Sequence, residues 1–290
     1  KRQIMKLLYP LARRYIAGED IQTALQSINT LQSEGFLTTL DILGENTTNS
    51  DQAIVAKQEY LQLLATQMAG SMDFSIKLTQ MGLDISESLC KQNVKDILTA
   101  AKHHTARFDI EGSLYTQRTI QTCIELHRDH KNLGQAVQAY LHRTKADIDD
   151  LIHNRISVRL CKGAYKEPPS IAYQSMDNIR ENFRALSFTL LKSGFQPAIA
   201  THDEYLIQEV MSFIAKENID KHSFYFELLY GVRRDLHRYL LQKGYQVRIY
   251  VPFGKSWLPY TLRRLSERKE NIIFVLKHLF RETFGIRKLR

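Results

Sequence analysis

The chain has 290 residues, 43% hydrophobic and 24% charged, with 13 glycines and 6 prolines. That composition suits a folded globular protein of one large or two ordinary domains, and it excludes disorder, collagen and coiled coil as whole-chain descriptions. No run reaches the roughly 18 consecutive apolar residues of a transmembrane helix, and 40 basic against 31 acidic residues leave a net charge of +9, which attracts anions without choosing among them.

Residues 1–35 read as a helical preface. From Phe36 onward, short β-branched or aromatic runs alternate with longer segments of helical spacing. Strands are expected at Phe36–Glu45, Asp73–Thr79, Ala106–Glu111, Gly134–Leu141, Ile156–Cys161, Gln196–His202, Ser223–Leu229 and Tyr245–Val251. Helices fall between them, at Asp51–Ala69, Ser86–His104, Tyr115–His130 and Ile171–Lys192 among others, and a last one spans about Trp257–Phe280. Eight strand–helix repeats argue for an α/β chain whose parallel sheet closes into a (β/α)₈ barrel over residues 36–290. A doubly wound sheet lacks its fingerprint here, since there is no G-x-G-x-x-G and no P-loop.

Neighbouring side chains of a strand point to opposite faces. In the second strand Phe74, Ile76 and Leu78 form the apolar phase, which leaves Lys77 facing the lumen. The same parity turns Asp41, Glu45, Asp109, Gln138, Arg159, His202, Glu227 and Tyr250 inward. A single such residue reads equally well as a structural ion pair, Asp109 with Arg159 being an example. All together they describe a polar binding cavity, because unpaired buried charge costs several kcal/mol per ion.

The last helix adds Tyr260, Arg263, Arg264 and Glu267 at helical spacing on one face. Such a stripe is commonly a solvated, salt-bridged surface. It is also a fork for a carboxylate or phosphate, which planar guanidinium groups match in pairs. With Lys77 aimed the same way, three cations converge, and that reading calls for an anionic ligand.

These pieces carry a family likeness. Val158-Arg159-Leu160-Cys161-Lys162-Gly163-Ala164-Tyr165, Ala200-Thr201-His202, Phe226-Glu227-Leu228-Leu229-Tyr230-Gly231 and Arg248-Ile249-Tyr250-Val251-Pro252-Phe253-Gly254 come in order, followed by Tyr260-x-x-Arg263-Arg264-x-x-Glu267. Together with Leu40-Asp41-Ile42-Leu43-Gly44-Glu45 and the Lys77 strand, they resemble proline dehydrogenase, both the monofunctional bacterial enzyme and the corresponding domain of proline utilisation A. The resemblance implies a distorted barrel with N-terminal helices and a C-terminal helix over its mouth. It implies FAD as cofactor, L-proline as substrate, Δ1-pyrroline-5-carboxylate as product and a membrane quinone as electron acceptor. It also suggests functional coupling to a separate pyrroline-5-carboxylate dehydrogenase. By motif, Lys77, Arg263 and Arg264 would clamp the proline carboxylate, Tyr250 and Tyr260 would pack on its ring, and Tyr165 would line the site. Glu45 is matched to a gate that pairs with Arg263 on closure, and Glu267 would steady the arginines. Arg159 would lie against flavin N5, with Asp109, Gln138 and Ile110 ordering its surroundings. Lys162, Gly163, Ala164, Thr201 and His202 would hold the phosphate and ribityl portions. Glu227 stands where relatives have glutamine, Cys161 where an aliphatic is usual and Asp203 where asparagine is common.

Two alternatives share the residues: a hydroxyproline dehydrogenase, which Tyr250 would crowd, and a Schiff-base aldolase using Lys77. A nucleic-acid-binding role would exploit the net charge, but no recognised motif accompanies it. Cys90, Cys123 and Cys161 are odd in number and widely spaced, which argues against a disulfide framework or a zinc site and for a reducing, cytoplasmic compartment. No metal site is expected. The basic ends, closing with Arg287, Lys288 and Arg290, suit peripheral contact with anionic lipid.

Overall fold

The structure is a computed structural model that describes residues 8–66 and 70–266. Eight parallel strands pair in sequence order and close into a barrel: β1 Leu37–Ile42, β2 Asp73–Ile76, β3 Thr105–Phe108, β4 Leu133–Gln138, β5 Val158–Cys161, β6 Ala198–Ala200, β7 Tyr225–Leu229 and β8 Val247–Phe253. Closure runs from Leu37 opposite Arg248 to Ile42 opposite Phe253. A helix follows every strand, as the alternation in the sequence leads one to expect.

Several strands are shorter than the alternation suggests. β2, β3 and β6 end at Ile76, Phe108 and Ala200, so Lys77, Asp109 and His202 stand just past the last ladder position. Side chains take over the backbone there. Glu111 accepts the Thr79 amide at 3.2 Å, and His202 Nε2 accepts the Leu229 amide at 3.0 Å. β8 runs longer than expected, to Phe253, because its far end gains two partners. Leu43 N–H donates to the Phe253 carbonyl at 2.8 Å and Ala17 N–H to that of Pro252 at 2.9 Å.

Helices start where a short polar side chain satisfies an orphan amide. Asn49, Ser86 and Ser175 accept from Gln52, Leu89 and Asn178 ahead of Ser50–Leu64, Glu87–Ala100 and Met176–Ser193. Each helix lays an apolar stripe on the barrel, Ala53, Ala56, Tyr60 and Leu63 in the first case. The outward strand residues Leu40, Phe74, Ile76, Phe108, Leu160, Ile199, Phe226 and Ile249 are all fully buried beneath them. Each such residue contributes about 1.5–3 kcal/mol.

The lumen is unusual, since barrel interiors are commonly filled with Val, Ile and Leu. Here Asp41, Asp73, Asp109 and Glu227 meet Lys77, Arg107, Arg159 and Arg248. Four carboxylates against four cations leave this cluster without net charge, which offsets the cost of desolvating each ion. Part of the N-terminal preface belongs to the main core through Ala24 and Ile28 in helix Ile21–Ser33. Residues before it join Leu43, Trp257 and Tyr260 in a second, smaller core. The final helix is described over Trp257–Ser266; its expected continuation to Phe280, and with it Glu267, lies outside the described residues.

Candidate active site

The upper lumen is held by one ionic network. Lys77 Nζ donates to Asp41 at 2.5 Å and lies 3.2 Å from Asp109. Asp109 accepts from Ser75 at 2.6 Å, Arg159 at 2.7 Å and the Tyr250 hydroxyl at 2.7 Å. Arg159 then grips Glu227 with two nitrogens, at 2.7 and 2.8 Å, and its guanidinium sits 5.1 Å from the Tyr250 ring centre. Burial alone would raise Asp109, but Lys77 and Arg159 outweigh it and hold the carboxyl down at about 2. Burial disfavours the charged forms of Lys77 and Arg159 as well; Asp41 for the first and Glu227 for the second keep both well above their ordinary values.

This corrects one expectation. Lys77 does not confront Arg263 and Arg264 as a bare third cation, because Asp41 and Asp109 already balance it. It also weakens the Schiff-base alternative, since a locked ammonium is a poor nucleophile. The pairing of Asp109 with Arg159 stands as read.

Above the network lies a cavity of about 1230 Å³. Tyr260, Arg263 and Arg264 reach it from the final helix, and Glu45, Lys77, Asp109, Ile110, Gln138, Arg159 and Tyr165 reach it from the strand ends. Lys162, Gly163, Ala164, Thr201, His202, Glu227 and Tyr250 complete the set of expected residues on its wall. Over Tyr260, Arg263 and Arg264 the helical stripe is thus a cavity face and not a solvated surface. Both guanidinium groups lie near the Tyr260 ring, at 6.0 and 5.3 Å from its centre. Burial would lower the pKa of Arg263, but the nearby Tyr165 and Glu45 outweigh it and raise it. Burial and then the nearby Glu111 push the Tyr165 hydroxyl up to about 12, so it stays protonated. Glu45 itself is exposed at the rim.

The opposite wall is built differently. Gln138 takes the Ala164 amide at 3.3 Å and donates to the Glu111 carbonyl at 2.9 Å, which ties the loop after β5 to β4. Gly163 has φ +126°, and a methyl group there would lie 2.3 Å from the Tyr140 ring. Only glycine lets this loop lie flush against that ring. Asp203 holds Lys162 at 2.9 Å and Arg180 at 2.8 Å, so the uncommon aspartate fixes two cations at the cavity rim. Cys161 lines the cavity, but burial pushes its thiol up to about 12, which leaves it an inert small side chain.

Sequence reasoning missed a lower layer. Asp73, Arg107, Tyr225 and Arg248 lie beneath the network, with Arg107 donating to the Tyr225 hydroxyl at 2.5 Å and Arg248 4.5 Å from that ring's centre. Strict two-residue parity from Lys77, Asp109, Glu227 and Tyr250 would have found all four. Glu111 and Arg180 were missed as well: Glu111 continues the parity of Asp109 past the end of β3, and Arg180 sits in the first turns of helix Met176–Ser193, where no inward parity applies.

Among known proteins, a profile of the proline dehydrogenase family matches residues 24–277. Proline dehydrogenase 1 of Bacillus subtilis subsp. natto is 33% identical over 276 residues, covering 93% of this chain and 91% of the relative. The proline dehydrogenase of Deinococcus radiodurans is 34% identical over 286 residues, covering 94% and 91%. The crystal structure of proline utilisation A from Bdellovibrio bacteriovorus shares the fold with a TM-score of 0.82 at 23% identity, over 91% of this chain and 33% of that larger one. A complete barrel, the match along most of its length and identity of about a third to two curated enzymes agree, and the chain belongs to the proline dehydrogenase family.

Proposed function

We propose that the chain oxidises L-proline to Δ1-pyrroline-5-carboxylate with FAD as its cofactor. The observation that carries this reading is one cavity lined at once by the arginine helix and by the Arg159 wall. Its volume of about 1230 Å³ exceeds the roughly 300–1,000 Å³ of ordinary small-ligand pockets, and a single small amino acid would leave most of it empty. Its donors suit a flavin nucleotide. Lys162 and Arg180 at the rim match phosphate, Gly163 keeps the loop clear, Thr201 and His202 are polar, and Arg159, Gln138, Ile110 and Glu227 surround the deeper end. Bound there, FAD would supply the acceptor for hydride from proline C5, with a quinone as the final electron acceptor.

The protein's own residues do the rest. Arg263 and Arg264 hold the substrate carboxylate, while Tyr260 and Tyr250 bound the ring. Oxidation at C5 needs the amine nitrogen neutral, because its lone pair stabilises the developing iminium. Cations at the carboxylate disfavour the ammonium and so favour the reactive form. The Tyr250 hydroxyl is fixed by Asp109 and its ring by Arg159, so this wall is rigid before substrate arrives. Glu227 and Asp109 keep Arg159 charged and fix its guanidinium at the deeper end of the cavity. Glu45, beside Arg263 in potential but exposed, suits a gate at the rim.

No helix among the described residues is long and apolar enough to cross a membrane. For delivery of electrons to a membrane quinone we propose peripheral contact through the basic ends of the chain. The test is to load the purified chain with FAD and add L-proline without oxygen. Bleaching of the flavin band, reversed by a soluble quinone, is expected; failure to take up FAD or to bleach would overturn the reading.

A further inference from the structure

We infer that Glu19 and Trp257 form a positioning pair, through which the N-terminal segment holds the arginine helix over the substrate. The inference rests on the reading of the cavity as a proline site. Trp257 opens that helix and is only 1% exposed. Its indole N–H donates to Glu19 Oε1 at 2.6 Å, and its ring meets Tyr9 at 5.6 Å between centres. Leu8, Ala12, Tyr15 and Ile16 pack around it with Leu43 and Tyr260, in a core separate from that of the barrel.

The segment is also tied to the loop that feeds the helix. Ala17 N–H donates to the Pro252 carbonyl at 2.9 Å, and Gly254 N–H donates to that of Gly18 at 3.0 Å. At Gly231 an added methyl would lie 1.6 Å from the Arg14 carbonyl oxygen, so the segment also runs flush against the loop after β7. Arg14 and Tyr15 reach the cavity itself. Tyr260 stands one turn beyond Trp257, on the same stripe of the helix. A tilt at the indole therefore moves Tyr260, and with it the two arginines. Displaced arginines would grip the substrate carboxylate less tightly.

Glu19 does not line the cavity, which separates its effect from direct loss of a ligand contact. The experiment compares full-length, FAD-loaded wild type with Glu19→Ala, Glu19→Gln and Trp257→Phe. Proline kinetics, the FAD dissociation constant and the melting temperature are measured on each. Removing a charge-assisted hydrogen bond should raise KM for L-proline about tenfold. kcat and FAD affinity should stay unchanged, because what the helix then loses is grip on the carboxylate, which ground and transition states share. Glu19→Gln should restore KM, since a carboxamide oxygen accepts the same N–H, and Trp257→Phe should shift KM in the same direction as Glu19→Ala. A wild-type KM in Glu19→Ala would overturn the inference. So would a parallel fall in FAD affinity and melting temperature, or a Glu19→Gln variant as damaged as the alanine. A wild type that does not oxidise proline would instead overturn the reading of the site on which the inference rests.

Discussion

Replacing Lys77 by methionine tests the ionic lumen most severely. The substitution keeps an unbranched side chain, one atom shorter, and removes the cation that Asp41 and Asp109 share, at 2.5 and 3.2 Å. Removing one partner of a buried pair costs about 3–5 kcal/mol. The lower end applies, because Lys77 keeps 11% side-chain exposure at the cavity. At roughly 2–4 °C per kcal/mol for a chain of this size, the melting temperature should fall by about 6–12 °C near neutral pH. Burial pushes the Asp41 carboxyl up and Lys77 opposes it, so without Lys77 the upward push goes unchecked. A carboxyl whose folded pKa is raised favours the native state when protonated, and that contribution is lost as pH rises. The gap between variant and wild type should therefore narrow as pH falls toward about 4, the ordinary Asp value. Adding Asp41→Asn should recover much of the loss at neutral pH by removing the stranded charge. Circular-dichroism melts of the three proteins across pH decide it. A Lys77→Met variant that melts with wild type, or a double variant no more stable than the single one, would refute the idea of a balanced buried cluster.

Asp109 behaves in the opposite sense. Lys77 and Arg159 outweigh burial and hold it at about 2, so its stabilising contribution is present above the ordinary Asp range and lost as pH falls through about 2. Urea midpoints should drop steeply between about pH 4 and 2, and Asp109→Asn should flatten that slope; an unchanged slope would show that Asp109 is not the titrating group. Gly163→Ala should weaken FAD uptake at least about tenfold, because the left-handed backbone and the Tyr140 ring both reject a methyl group. Fluorescence titration with FAD measures this, and wild-type affinity would place the loop's role elsewhere.

Most of the architecture was legible in the sequence because strands and helices alternate with different hydrophobic periods. The inward parity that begins at Lys77 led to Asp41, Asp109, Arg159, Glu227 and Tyr250, and these residues do meet. What parity could not supply was pairing. Whether Lys77 faces a ligand or a carboxylate depends on side-chain reach across the lumen, which no spacing encodes. Strand ends were overrun for a related reason: at Thr79 and His202 side-chain bonding replaces the ladder, and the local sequence still reads as extended. The link between Glu19 and Trp257 spans most of the chain, and neither residue belongs to a periodic pattern.

The central claim is that the arginines of the final helix bind the substrate carboxylate inside a cavity whose other wall holds the cofactor. The proline dependence of flavin reduction in Arg264→Met, set beside wild type, tests it most directly. Two charge-assisted hydrogen bonds of about 1.5 kcal/mol each correspond to roughly a hundredfold rise in KM, with the flavin spectrum and FAD affinity preserved. A variant reduced by proline at wild-type concentrations, or one that has lost its flavin, would contradict the account.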